Sequence, residues 1–153
     1  MARRKIVQVG DPILRKVCKP VENFDSKLGE LIDDMIETLH HAEGLGLAAP
    51  QVGILRRVCI VEYDDELYEL VNPKLVKSKG KCVDNEGCLS VPGYRGLVER
   101  PEQIDITYFD RNGKQHKLHA EGYFARVFLH EMDHLEGILF CDKMIKKILD
   151  DEE

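Results

Sequence analysis

No stretch of this chain is apolar for long enough to span a bilayer, and the opening Met1-Ala2-Arg3-Arg4-Lys5 is not followed by the apolar core of a secretory signal. An excess of positive charge is lacking as well. The 22 Lys and Arg stand against 28 Asp and Glu, a net charge of -6, which argues against a general nucleic-acid binder. Lys143, Lys146 and Lys147 make a small basic cluster that reads as a solvated helix face. A disulfide framework is missing too. The cysteines are Cys18, Cys59, Cys82, Cys88 and Cys141, odd in number and irregular in spacing, so a reducing cytoplasm is the expected compartment. Repeats, low-complexity tracts and linkers are absent. The length therefore suits a single domain, 1–153, with a core of its own.

What the chain does contain is helical and strand periodicity in blocks. Leu28, Leu31, Ile32, Met35, Ile36 and Leu39 recur at three and four, which predicts a helix over Asp25–His41. Asp25 or Ser26 can cap its start, and Gly44 can end it. Arg57–Tyr63, Leu67–Val76 and Gln103–Phe109 have strand composition. The Asn112-Gly113 turn leads into Gln115–Ala120, so the last pair should be a hairpin. A second helix starts near Gly122 and stops by Gly137, and a short final helix is expected over Lys143–Asp150. The predicted class is α+β, with antiparallel β-sheets packed around a central helix.

That second helix carries His130-Glu131-Met132-Asp133-His134. Residues four apart stand one turn apart on a helix, so both imidazoles can reach one metal ion. Glu131 then lies where a general base must be to deprotonate water on the metal. A third protein ligand is needed. A metzincin would supply a third His farther along the same run, but that position is Phe140; a thermolysin-like Glu would need a further helix, and the chain ends at Glu153. The ligand is therefore expected upstream. Cys88 is the best candidate, because Gly87 before it permits close backbone approach and a thiolate suits a borderline metal. Cys82 is its only rival.

Three runs now stand in order: Gly44-Leu45-Gly46-Leu47-Ala48-Ala49-Pro50-Gln51, Glu86-Gly87-Cys88-Leu89-Ser90, and His130-Glu131-Met132-Asp133-His134-Leu135. Together with Gly10-Asp11-Pro12-Ile13-Leu14-Arg15 they resemble the signature motifs of bacterial peptide deformylases, over about Lys5 to Met144. The resemblance implies a metal held by Cys88, His130 and His134. It implies ferrous iron as the physiological ion, with zinc, nickel or cobalt able to replace it. The implied substrate is the N-formyl-methionyl end of a new polypeptide, cleaved to formate and a free amine. Glu131 is then general base and acid, and the Leu89 N–H and Gln51 amide are the oxyanion donors.

Helical spacing back from His130 makes Tyr123, Arg126 and Val127 candidates for the methionine pocket, with Leu45 opposite. Gly44 and Gly46 leave backbone open to pair with an extended peptide, Gly87 flanks the cysteine, and Arg95 is placed to engage the peptide farther along. Two departures from the family pattern stand out. Leu129 occupies a position where many members have Gln, and the C-terminal helix that some members use on the ribosome is short or absent. A transient ribosome association stays open, but not through that helix. A monomer with no membrane or nucleic-acid partner is expected. Alternatives are a deformylase-like hydrolase acting on other formylated substrates, a zinc endopeptidase lacking its usual third ligand, and an inactive metal-binding domain.

Overall fold

The structure, a computed structural model, describes residues 2–149. A short turn of 3-10 helix at Pro12–Arg15 precedes the first long helix, α1 (Ser26–Ala42). Asp25 caps α1 by accepting from the Leu28 N–H at 3.0 Å. Leu28, Ile32, Met35 and Leu39 are fully buried along one stripe. The helix stops one residue earlier than its glycine suggests: Glu43 takes the left-handed conformation, φ 57°, and its N–H closes on the last carbonyls.

The chain then lays down β1 (Gly46–Ala48), a 3-10 turn at Ala49–Val52, β2 (Val58–Tyr63), β3 (Glu66–Lys79), β4 (Cys82–Cys88), β5 (Val91–Arg100), β6 (Gln103–Phe109) and β7 (Gln115–Glu121). Helix α2 (Gly122–His134), a 3-10 turn at Phe140–Asp142 and β8 (Met144–Leu149) follow. All pairings named here are antiparallel. They form a five-stranded sheet ordered β1-β2-β3-β6-β7 and a three-stranded sheet ordered β4-β5-β8. The β2–β3 hairpin turns on Asp64 and Asp65, both at positive φ, the two-residue turn whose twist matches its strands. In the β6–β7 hairpin, Asp110 accepts from the Asn112 and Lys114 N–H groups and Gly113 has φ 83°.

Strand β2 explains the layering. Val58 and Ile60 pack with Leu28, Ile32 and Met35 of α1, whereas Cys59 and Val61 pack with Ala125, Phe128 and Leu129 of α2. Alternate side chains of a strand point to opposite faces. The two helices therefore cover opposite faces of the larger sheet, and β2 reads as a continuous apolar run because both its faces are buried. Each fully buried aliphatic side chain contributes roughly 1.5–3 kcal/mol.

Two expectations need correction. Lys143–Asp150 is not a helix: Met144–Leu149 is β8, paired with β5 from Tyr94↔Leu149 to Val98↔Met144, while Asp150 lies outside the described residues. The open edge of β5 offers hydrogen bonds that override a helix-compatible spacing, and Met144 packs on the flat spot left by Gly96. The smaller sheet was also unforeseen. Asp84, Asn85, Glu86, Pro92 and Gly93 disguise β4 and β5 as loop.

Candidate metal centre and cleft

Helix α2 presents His130 and His134 one turn apart, buried, with ring centroids 5.1 Å apart. Cys88 ends β4 at an irregularity, where pairing with β5 jumps from Glu86↔Gly96 to Cys88↔Val91. Cys88 Sγ lies 3.4 Å from His134 Nε2, and one ligand atom from each of the three residues falls within 4.8 Å of the others. Donors bonded to one ion at about 2.0–2.3 Å stand roughly 3.3–3.8 Å apart in a tetrahedral shell, so the set fits a divalent metal with little adjustment. Cys82, the rival, is not part of this group.

The surroundings of the two histidines differ. His130 Nδ1 donates to Glu86 Oε1 at 2.8 Å; a carboxylate only accepts, so Nδ1 carries a proton and Nε2 is the nitrogen turned to the cysteine and the second histidine. Glu86 is in turn held by Arg100 at 2.5 and 2.9 Å and by Arg126 at 2.7 Å. Burial would raise the Glu86 carboxyl, but the hydrogen bonds from His130 and Arg100 outweigh it and hold the group well below the usual carboxylate range. Arg100 continues to Asp133 at 2.8 Å, and Asp133 also meets Lys143. Buried charges persist only when paired and hydrogen-bonded, and here each is. His134 has no such support: its Nδ1 is buried without a partner among the described residues, and burial pushes its imidazole down, toward the neutral form a metal needs.

Glu131 is 4 % exposed, and its Oε1 has no hydrogen-bond partner among the described residues. Burial pushes its carboxyl up to about 7. Gln51, in the 3-10 turn after β1, is locked in orientation. Its Oε1 accepts from the Ala48 N–H at 2.9 Å, so its NH₂ must face Ser90 Oγ, at 3.0 Å, and Cys88 Sγ, at 3.6 Å.

These groups open onto a cleft of about 310 Å³. One wall is Glu43 to Gly46, the other Glu86 to Leu89 with Arg95, and the floor is Tyr123, Val127, His130 and Glu131. Leu45 is half exposed at the rim. The structure thus brings Gly44, Leu45, Gly46, Gln51, Gly87, Cys88, Leu89, Arg95, Tyr123, Arg126, Val127, His130 and Glu131 to one cavity, with His134 behind it. Arg126 differs from the simple expectation. Its guanidinium turns away to Glu86 and to the Val98 and Cys82 carbonyls, so only its stem faces the cleft. Arg95 lies over Gly87, its Nε donating to Asn85 Oδ1 at 2.5 Å. Glu86, Arg100, Ser90 and Glu43 were missed by sequence reasoning. Only Glu86 and Ser90 carried a local signal, as neighbours of Cys88. His116 and His119 serve separate partners, Asp110 and the Asp105–Glu121 pair.

The sequence pattern of the polypeptide deformylase family matches residues 3–148. The peptide deformylase of Caldicellulosiruptor bescii is 49% identical over 152 residues, 99% of this chain and 92% of that protein. That of Alkaliphilus metalliredigens is 47% identical over 147 residues, 96% of this chain and all (100%) of that one. The crystal structure of peptide deformylase from Thermotoga maritima superposes with a TM-score of 0.92 at 41% identity, covering 94% of this chain and 99% of that one. The Legionella pneumophila structure gives 0.91 at 43%, covering 94% and 86%.

Proposed function

The chain belongs to the polypeptide deformylase family and removes the N-formyl group from nascent polypeptides, and from that premise we propose which of its residues do so. Cys88, His130 and His134 hold the metal, and Glu131 is the general base. The observation that carries this is the gathering of three ligand atoms within 4.8 Å beside a buried, unpartnered carboxylate. Two imidazoles and a thiolate suit a borderline divalent ion. Ferrous iron is the proposed cellular ion, with zinc, nickel or cobalt as substitutes. When bound, the ion polarises the formyl oxygen and makes water acidic near neutral pH.

Glu131 takes the proton of the attacking water. A carboxyl raised by burial is matched to that task, because it accepts a proton near neutrality and can return it to the departing amine. The Leu89 N–H and the Gln51 Nε2 donate to the oxygen that gains charge. Ala48 holds the Gln51 amide in that sense before substrate arrives, so no reorientation is needed. An extended peptide adds to the free edge of β1 at Gly46 and to the loop before it at Gly44. Its methionine side chain enters between Leu45, Tyr123, Val127 and the stem of Arg126. Gly87 lets Arg95 lie flat across the wall, from where it meets the peptide beyond the first residue.

In this reading α2 is the central element around which the sheets are arranged, and 1–153 acts as one catalytic domain. It works as a monomer in the cytoplasm and meets the ribosome transiently. Among the described residues no helix is long and apolar enough to cross a membrane. The test is formate release from a formyl-Met tripeptide by anaerobically prepared, iron-loaded protein. Rapid release with loss on Cys88→Ala, His130→Ala or His134→Ala, each with loss of bound iron, supports the assignment. Stoichiometric iron without release would move the substrate to another formylated amine.

A further inference from the structure

Gly46 has ordinary strand geometry, with φ outside the left-handed region, and pairs with Val61 of β2. Backbone conformation therefore does not require glycine there. Space does. A β-carbon at residue 46 would stand 2.6 Å from Glu131 Oε2, 2.8 Å from its Cγ and 2.9 Å from its Cδ. Three atoms of one side chain, not merely its tip, occupy the place. Glu131 is 4 % exposed, so a β-carbon at residue 46 displaces its carboxylate from the place it holds on the cleft floor. Strand β1 is held by its pairing with β2 and by its contacts with α2 and α1. The nearby glycines differ. A β-carbon at Gly44 would meet the methyl ends of Leu89 and Leu39, and one at Gly87 would chiefly meet the mobile end of Arg95.

We propose that Gly46 is a positioning residue for the reaction: the side chain it lacks is the space in which the Glu131 carboxylate stands facing the attacking water. The inference rests on the reading of Glu131 as the base. It gives this glycine a role separate from backbone pairing with the peptide, since an alanine would keep the same N–H and C=O.

The experiment compares Gly46→Ala, Glu131→Asp and the double variant, all nickel-loaded, on a formyl-Met tripeptide. A displacement of about 1 Å costs on the order of 100-fold in turnover, so Gly46→Ala should lower kcat by about that factor, with KM little changed and nickel retained. Glu131→Asp shortens the base by one methylene. It should lower kcat in the parent but raise it about tenfold in the Gly46→Ala background, a reversal of sign that only direct contact produces. The same factor in both backgrounds would overturn the inference. So would a rise in KM with kcat intact, which assigns Gly46 to peptide binding, or loss of nickel from Gly46→Ala. If Gly46→Ala does not fold, adding Glu131→Ala must restore soluble, nickel-binding protein, and failure to do so also overturns it. A parent in which Glu131→Ala alone leaves turnover intact would instead sink the assignment of the base.

Discussion

Asp34 on α1 and Glu131 on α2 are buried carboxylates of nearly equal exposure, 5 % and 4 %, on helices that cover opposite faces of one sheet. Their chemistry diverges. Asp34 accepts from the Ala2 N–H at 2.8 Å and from Arg4 at 3.0 Å, and this donor set, led by the Ala2 N–H, holds it below its usual value. Glu131 has an oxygen with no donor among the described residues, and burial pushes the carboxyl up to about 7. Low exposure alone therefore does not decide ionisation; the depth of the group below the surface and the donors around it together do. On α1 a fully satisfied carboxylate ties the N-terminal segment down. On α2 an unsatisfied one faces the cleft, and the cost of burying it is carried by the rest of the fold.

The strongest way to break this contrast is Glu131→Ala. Turnover should fall by about 10²–10⁴-fold, the usual worth of a positioned base, while bound metal and melting temperature hold or rise. Steady-state kinetics with elemental analysis checks it; loss of metal would make Glu131 a ligand instead. Next comes Glu86→Ala, which strips the partner from Arg100, Arg126 and His130. It should cost about 3–5 kcal/mol in denaturant unfolding, because uncompensated charges stay buried. It should also weaken metal binding about 10–100-fold through the His130 support, read by competition with a chelator.

A subtler comparison uses pH on the metal-free protein. The Glu131 carboxyl is raised, so the native state binds its proton more tightly than the unfolded chain, and stability should decline as pH rises from about 4.5 to about 7. Glu131→Gln should remove that decline. Asp34 is lowered, so its contribution is present above the ordinary carboxylate range and lost as pH falls through its native value. Asp34→Asn should flatten the acid limb only. Thermal melts across pH test both, and equal slopes in the two variants would erase the distinction. The smallest effect is expected at the start of α1: Asp25→Ala removes the cap on Leu28 and should cost about 1 kcal/mol with kcat unchanged.

Much of this was legible in local runs. The stripe from Leu28 to Leu39, the Asn112-Gly113 turn and the spacing of His130 and His134 each declare their structure within a few residues. Where the outcome depends on partners distant in the chain, the signal fades. Strand β8 exists because β5 has an open edge, and nothing within Met144–Leu149 announces it. The tie among Glu86, Arg100 and Arg126 joins β4, β5 and α2, which only the register of the smaller sheet brings together. Arg126 shows the same limit inside the cleft: helical spacing locates its Cα, but the choice between cavity and Glu86 is made by burial of charge.

The jump in pairing between Glu86 and Cys88 has a consequence for how the enzyme comes to life. α2 alone can offer two donors, but the sulfur reaches them only after β4 has found its register on β5. A partly folded chain therefore lacks the third donor. Because complete sites bind metal much more tightly than incomplete ones, ion uptake should be among the last events of maturation, a receipt for finished tertiary structure rather than a nucleus for it.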